Sequence, residues 1–243
     1  MDEVSRGGWL RCTVAGMVGF AAFFGLGEVV SLLGIESPIG RQVALKGLMV
    51  VVAVVAWAVL RQPPSTMGWT RLGWRAFGWN GGCWKWTVLA CLAMAGATVV
   101  MILTGQRHPI ASQLNFGQIV VVIWLLSSFA EEVYVRGAIQ SYGQLGVDPS
   151  RLGAASPPVV VSALVFAAMH VPLIWKGGGA VGGGVIVVAT LFVGWACAVV
   201  RVRSGGIWAP FLVHMLANIS AVPGGIVGVI IYRLVNGSFP PMQ

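Results

Sequence analysis

Charged side chains are scarce in this sequence: they account for 9% of the 243 residues, while hydrophobic residues account for 57%. Soluble domains carry about 25% charged and about 45–50% apolar residues, so this composition excludes an ordinary soluble domain. A chain inside a bilayer has to satisfy its backbone polar groups internally, and helices do so. We therefore predict an all-α membrane protein in which residues 1–243 form a single integral membrane domain.

Acidic residues and cysteines are also few, and neither forms a known binding pattern. Seven acidic residues stand against 15 basic ones, which gives a net charge of +8. The basic residues are scattered among the connections and form no dense run, so we predict no nucleic-acid partner. The four cysteines include no CxxC pair, which gives little support to a disulfide framework or a zinc knuckle.

Apolar runs separated by glycine, proline or charged residues predict a polytopic bundle of about eight transmembrane helices. The first run is longer than the roughly 7–15-residue core of a signal peptide, so we expect it to be a retained span. The eight runs, of which the last two are short, cover residues 12–34, 43–60, 86–104, 117–141, 157–175, 182–202, 206–219 and 222–236.

The distribution of basic residues predicts the orientation of the bundle. With a cytoplasmic N-terminus, eleven basic residues lie on the inner side and four lie outside, namely Arg41, Lys46, Arg107 and Lys176. Cytoplasmic connections carry the excess of Lys and Arg in membrane proteins. We therefore predict an integral protein of a bacterial or archaeal plasma membrane, with its N-terminus in the cytoplasm.

The connection at residues 61–86 is rich in tryptophan and basic residues. Gly-Trp recurs at 68–69, 73–74 and 78–79, a step that matches neither helix nor strand periodicity. Indole rings and basic heads both find partners in the lipid headgroup layer, which favours an interfacial segment. The same alternation could form a platform for single-stranded nucleic acid, but the membrane context disfavours that interpretation.

A small group of polar residues interrupts the apolar runs. An ionisable group at membrane depth costs at least about 2.5–3.5 kcal/mol, so each one is a functional hypothesis. A single polar residue can also be a hydrogen-bonding strut between helices that contributes about 0.6 kcal/mol, and Glu28 fits that description or an interfacial one. The group consists of Glu28, Glu131, Glu132, Arg136, His170, His214 and Asn218.

Spacing separates the roles of the two adjacent glutamates. Glu132 and Arg136 are four residues apart, so on a helix they share a face and can pair. Side chains at adjacent positions diverge by about 100°, which leaves Glu131 to face another partner and makes it the better candidate for chemistry. The pair of Glu132 and Arg136 could equally be architectural, because buried ion pairs can lock helix packing.

Two further pairs repeat the four-residue spacing: Phe166 with His170, and His214 with Asn218. Each pair lies along one stripe of its helix. His170 is expected about four turns into a helix that begins at Pro157. Two histidines, an amide and a free carboxylate in three spans favour an active site over a set of unrelated struts.

These three motifs, each in a separate apolar span and in this order, resemble those of the CPBP family. The family comprises CAAX prenyl endopeptidases and bacteriocin-processing proteins, and is also called the Abi family of intramembrane proteases. The stretch "SGGIWAPFLVHMLANIS" is similar to the family's last motif in its flanks as well. The resemblance covers a motif-bearing core at residues 117–220, and the first three spans contain no matching motif.

The resemblance implies an eight-helix fold with an intramembrane polar cavity, and hydrolysis of a peptide bond near the membrane surface. In this comparison Glu131 is the general base that activates water, and His170 helps to hold that water. His214 and Asn218 stabilise the tetrahedral oxyanion. The supporting residues are Glu132, Arg136 and Phe166.

Metal dependence and substrate stay open at this level. His170, His214 and Glu131 could form a three-ligand zinc site, yet the sequence lacks the H-E-x-x-H helix of soluble zinc proteases. No cofactor is favoured, and zinc is the alternative. The expected partners are the lipid bilayer and a peptide or membrane-protein substrate, which could be a prenylated CAAX tail or a leader, signal or pheromone peptide.

Two other functions compete with the peptidase hypothesis. A catalytically silent scaffold, or an immunity or partner protein of the same fold, would use the cavity for binding alone, although intact motifs disfavour it. A proton-coupled transporter would use Glu and His as a proton relay. The sequence shows no clear inverted repeat, which such carriers often have.

Overall fold

The computed structural model describes residues 3–59, 79–106, 108–145, 147, 149–175 and 179–240. In these ranges the chain is helical, and seven segments are long and apolar enough to cross a membrane. The predicted fold class, a polytopic all-α bundle, is confirmed. The seven segments are α1 (Glu3–Leu32), α2 (Pro38–Val59), α3 (Gly81–Leu103), α4 (Phe116–Gln144), α5 (Pro157–Ala168, extended to Ile174 by a 3₁₀ turn), α6 (Gly179–Ser204) and α7 (Trp208–Asn236).

The described part of the chain differs from the eight predicted spans at its C-terminal end. The two short runs at 206–219 and 222–236 form one helix, α7, which continues through Pro223. Membrane helices tolerate proline where neighbouring helices satisfy the backbone groups that it frees. Close packing against α3 accompanies this continuity, because a Cβ atom on Gly224 would lie 2.5 Å from the carbonyl oxygen of Ala95.

Helices α4, α5 and α6 form the buried part of the bundle. In the most apolar 18-residue window of each, 50 to 61% of the residues are buried, against 11 to 17% in α1, α2, α3 and α7. The less buried helices present their exposed apolar side chains to the surroundings, as helices facing lipid do.

A row of polar contacts joins α4 to α6 inside this buried part. Arg136 Nη2 donates to the carbonyl oxygen of Gly194 at 2.6 Å, and Gln140 Nε2 donates to that of Ala198 at 2.9 Å. Donors and acceptors are each four residues apart, so one stripe of α4 follows one stripe of α6. This row fixes how α4 is rotated about its axis, and therefore where Glu131 points.

Helix α4 changes its winding on both sides of the two glutamates. Residues Ile119–Ser127 and Val133–Gln140 are wound as π-helix, and Ser128–Glu132 between them is α-helical. The hydroxyl groups of Ser128 and Ser141 each donate to the carbonyl oxygen five residues earlier. π-helical turns are rare and are frequently found at functional sites.

Most of the predicted interfacial connection lies outside the described residues. Of the range 61–86, only residues 79–86 are described, and α3 already begins at Gly81, so Trp84, Lys85 and Trp86 are helical. The side chain of Asn80 accepts a hydrogen bond from the Gly82 backbone N–H and caps this helix. The interfacial role of the connection stays a prediction.

Candidate active site

A cavity of about 1340 Å³ opens among the helices, and the polar residues singled out in the sequence meet there. Its walls come from α1 to α7, together with the segment between α3 and α4. Four proposed catalytic residues contribute to the lining, namely Glu131, His170, His214 and Asn218, and so do Phe166 and Glu28. Glu132 and Arg136 lie behind the wall and are fully buried.

Glu131 uses its two carboxylate oxygens differently. Oε1 lies 2.5 Å from Lys46 Nζ on α2, and Oε2 lies 3.7 Å from His214 Nε2 on α7. Both members of the Lys46 pair are buried. The carboxylate therefore joins α2 and α4 by an ion pair, while its second oxygen faces the imidazole across a gap longer than a hydrogen bond.

The predicted pair of Glu132 and Arg136 is present, with 2.9 Å between Oε1 and Nη1. The same Glu132 oxygen also lies 3.0 Å from His214 Nδ1. The guanidinium of Arg136 stacks over the Phe166 ring at 4.6 Å from its centroid. Glu132 thus connects a buried arginine to the imidazole that faces Glu131.

His170 lies just beyond the end of a helix and not within one. Helix α5 ends at Ala168, and a 3₁₀ turn starts at Val171, so His170 occupies the break between them. Its Nδ1 is 2.8 Å from the Phe166 carbonyl oxygen, one turn earlier. The sequence predicts that His170 lies about four turns inside a helix that begins at Pro157. The α-helix does begin at Pro157, but it ends two residues before His170.

The partners of the two histidines define which nitrogen carries the proton. Carbonyl and ionised carboxylate oxygens only accept hydrogen bonds, so Nδ1 is the donor both in His170, toward Phe166, and in His214, toward Glu132. In a neutral ring, Nε2 then presents a lone pair. Nε2 becomes a donor only when the imidazole takes up a second proton.

Asn218 is positioned by α4. Its Nδ2 donates to Ser128 Oγ at 3.0 Å, and Ser128 Oγ in turn donates to the Ile123 carbonyl oxygen in the first π-helical segment. Asn218 Nδ2 also lies 3.5 Å from the Ile123 carbonyl oxygen, a long hydrogen bond. The residue lines the same cavity as Glu131, His170 and His214.

The tautomers of His170 and His214 suit metal binding, but the described residues contain no group of three metal ligands. Histidines that bind metals commonly donate their second N–H to a carboxylate or carbonyl oxygen, as His170 and His214 do here. Among the described residues, however, no three His, Cys, Asp or Glu side chains are placed so that they could hold an ion together. Lys46 also occupies one oxygen of Glu131.

Sequence analysis missed Lys46 as a site residue, because the charge count treated it as one of four basic residues on the outer side of the membrane. The structure places it inside α2, buried beside Glu131. An available signal was its position in "QVALKGLMVVVAVVAWAV", where an ionisable residue stands within an apolar run. Lys46 is therefore no evidence for orientation, and the cytoplasmic N-terminus stays a prediction.

A third histidine, His108, lines the same cavity from the segment between α3 and α4. Its Nδ1 accepts hydrogen bonds from the backbone N–H groups of Ile110 and Ala111 at 3.2 and 3.0 Å. Burial, together with a smaller electrostatic effect of the nearby His170, lowers the pKa of His108 from 6.5 to about 4. His108 is therefore neutral near pH 7 and carries its proton on Nε2.

Comparison with known proteins identifies the segment that holds these motifs. Residues 113–220 match the family model described as type II CAAX prenyl endopeptidase, Rce1-like. The searches against curated proteins and against solved structures gave no match. The resemblance inferred from the motifs is thus confirmed over a segment somewhat shorter than half of the chain, and it points to a membrane-embedded peptidase.

Proposed function

We propose that this protein is an intramembrane endopeptidase that hydrolyses a peptide bond near the membrane surface with a water activated by Glu131. One observation carries the proposal: Glu131 Oε2 and His214 Nε2 face each other in a cavity that His170 and Asn218 also line. The Rce1-like match of residues 113–220 supports the same reaction class.

The reaction proceeds by addition and elimination. Water attacks the scissile carbonyl carbon while one of its protons passes to Glu131 Oε2, and the carbonyl π electrons move to oxygen. The tetrahedral intermediate then collapses, the C–N bond breaks, and the proton held by Glu131 passes to the leaving nitrogen. General-base assistance of this kind contributes about 10²–10⁴ in rate.

The histidines and the amide serve the water and the oxyanion. The Nε2 lone pair of neutral His170 can accept the second hydrogen of the water. Asn218 Nδ2 can serve as a neutral donor for the oxyanion by exchanging its long contact of 3.5 Å with the Ile123 carbonyl oxygen. Losing one such donor costs about 10²–10³ in rate. His214 can join it as a donor through Nε2 only when its imidazole carries a proton on both nitrogens.

The substrate that fits this site is a peptide or a segment of a membrane protein. Small-molecule pockets usually measure about 300–1,000 Å³, and this cavity of about 1340 Å³ exceeds them. A lipidated tail, such as a prenylated CAAX sequence, is one candidate within that class. The surrounding bilayer is the other expected partner.

The test compares cells that contain wild-type protein with cells that contain Glu131→Gln at matched abundance. New peptide termini in the membrane fraction and the medium are profiled by mass spectrometry, which requires no assumption about the substrate. We expect a set of termini to vanish with Glu131→Gln and to persist with Glu28→Gln, which replaces another carboxylate of the same cavity.

A scaffold function is the second candidate, because the ion pair of Glu131 with Lys46 also suits a purely structural role. In that case the termini would be the same in wild type and Glu131→Gln, and the biological activity of the mutant would persist. If the purified protein contained stoichiometric zinc, and if replacing His170 or His214 removed it, a metal-dependent mechanism would be favoured over the glutamate mechanism.

A further inference from the structure

We propose that Lys46 is a positioning residue for the reaction: it keeps the Glu131 carboxylate ionised and reserves Oε2 as the oxygen that accepts the proton. This inference rests on the proposed function. It assigns a role to α2, which lies outside the segment that matches the family model.

The surroundings of Glu131 make a counter-charge necessary. The carboxylate is buried inside a membrane-spanning segment, where an uncompensated charge is expensive and a carboxyl group tends to take up a proton. A protonated Glu131 could not accept a proton from water. The ammonium of Lys46, 2.5 Å from Oε1, favours the ionised form that the mechanism needs.

The ionisable neighbours of Glu131 come from several elements, and Lys46 is the closest cation among the described residues. Helix α7 contributes His214 at 3.7 Å, and His170 faces the carboxylate from the end of α5. On α4 itself, the neighbouring Glu132 is paired with Arg136. The charge of that arginine is thus engaged by Glu132, which leaves Lys46 as the direct partner of Glu131.

The contact also distinguishes the two oxygens of Glu131. Oε1 is held in the ion pair, whereas Oε2 faces His214 Nε2 in the cavity. A carboxylate fixed in this way presents one defined lone-pair surface to a water molecule. Such preorganisation spares the reorientation of polar groups during the reaction.

The charges of the site remain balanced when the proton moves. At rest, the carboxylates of Glu131 and Glu132 are paired with the cations of Lys46 and Arg136. When Glu131 takes the proton, the negative charge passes to the carbonyl oxygen of the substrate. Lys46 keeps its charge at that moment, so a positive charge remains in the lining of the cavity in which the oxyanion develops.

The decisive measurement is the pH dependence of kcat/KM. If Lys46 only held the helices together, replacing it would not shift this pH profile. Purified full-length protein in lipid vesicles would be assayed with a fluorogenic peptide spanning the Glu131-dependent cleavage site from the terminus profile. An opposite charge at this range displaces the titration of a carboxylate by about 1–3 pH units. With Lys46→Met we therefore expect the acidic limb to move upward by at least about one pH unit, with a loss of about tenfold or more at low pH.

Two variants control this measurement. Lys46→Arg keeps the charge, so its acidic limb should stay near the wild-type position even if its kcat is reduced by the larger head group. Lys85→Met removes an exposed lysine at the start of α3 and should leave the profile unchanged. An unshifted limb in Lys46→Met would overturn the inference while leaving Glu131-dependent cleavage intact.

A second readout does not depend on activity and covers the case in which Lys46→Met folds poorly. Each single substitution, Lys46→Met or Glu131→Gln, leaves one buried polar group without its partner, and the double variant removes the mismatch. We expect the double variant to unfold at a higher temperature than the sum of the single effects predicts. Additive effects would overturn the inference, whereas full cleavage by Glu131→Gln would overturn the proposed function as well.

Discussion

The buried helices α4 to α6 and the more exposed helices α1 to α3 contribute differently to the molecule. The first group contains the paired glutamates, Arg136 and His170, and its apolar windows are at least half buried. The second group is less than one fifth buried in its windows, yet its α2 supplies the direct cation partner of Glu131. A mostly exposed helix can thus provide a single buried group on which the chemistry of the core depends.

The residues that line the cavity come partly from inside and partly from outside the segment that matches the family model. The match begins at residue 113 and so includes α4 to α6 and the part of α7 that contains His214 and Asn218. Lys46 and His108 both line the cavity from outside that range. Substitutions placed in both regions can test how far this division holds.

The largest expected effect on stability follows from Arg136→Met in the buried region. It leaves Glu132 with a charge in a fully buried position, and breaking a buried pair in this way costs about 3–5 kcal/mol. Arg233→Met on α7 removes an exposed arginine beside Phe239 and should change the free energy of unfolding by less than about 0.5 kcal/mol. Denaturation in mixed micelles measures the free energy of unfolding of both variants. Equal losses of stability would contradict the expectation that the buried arginine matters more than the exposed one.

A smaller effect, of opposite sign in the two regions, is expected when alanine replaces glycine. On α6, a Cβ atom at Gly194 would lie 3.0 Å from Phe166 Cδ1, and such overpacking costs about 1–3 kcal/mol. On α3, a Cβ atom at Gly96 would meet nothing within 4 Å, so Gly96→Ala should stabilise the helix by up to about 1 kcal/mol. Thermal unfolding in detergent decides, and stabilisation by Gly194→Ala would contradict the tight packing around Phe166.

A pH dependence of stability is expected from His108, in the segment between the two regions. Its pKa in the folded protein is about 4, while the unfolded chain titrates near 6.5. Between these values the unfolded state binds more protons, so the contribution of His108 to stability falls as the pH falls from about 6.5 toward 4. His108→Gln should therefore make the unfolding temperature less sensitive to pH in this window, and an unchanged slope would contradict burial of a neutral ring.

Sequence reasoning succeeded where the contacts are local. The pair of Glu132 and Arg136 follows from a spacing of four residues on one helix, and the structure contains it at 2.9 Å. The membrane class and most spans follow from composition and run length. The continuous helix α7 did not, because proline and glycine end helices in water but can be accommodated by a neighbouring membrane helix, here α3.

Long-range contacts could not be derived from spacing. Lys46 and Glu131 are 85 residues apart, and His214 and Glu132 are 82 residues apart, so only the packing of the helices brings them together. The end of α5 at Ala168 is different, because Pro172 has no backbone N–H to donate to the carbonyl oxygen of Ala168, so a local signal was present in the sequence. The catalytic roles themselves stay proposals until cleavage is measured.

The short distance between Glu131 and His214 has an electrical consequence. In the proposed reaction, charge moves over a few ångströms, comparable to the 3.7 Å gap, within a hydrocarbon layer about 30 Å thick. A full crossing changes the energy of one charge by about 2.3 kcal/mol per 100 mV, so this displacement corresponds to about 0.3 kcal/mol. Turnover should thus be almost indifferent to the membrane potential, whereas a carrier that moves protons across the whole bilayer would be driven by it.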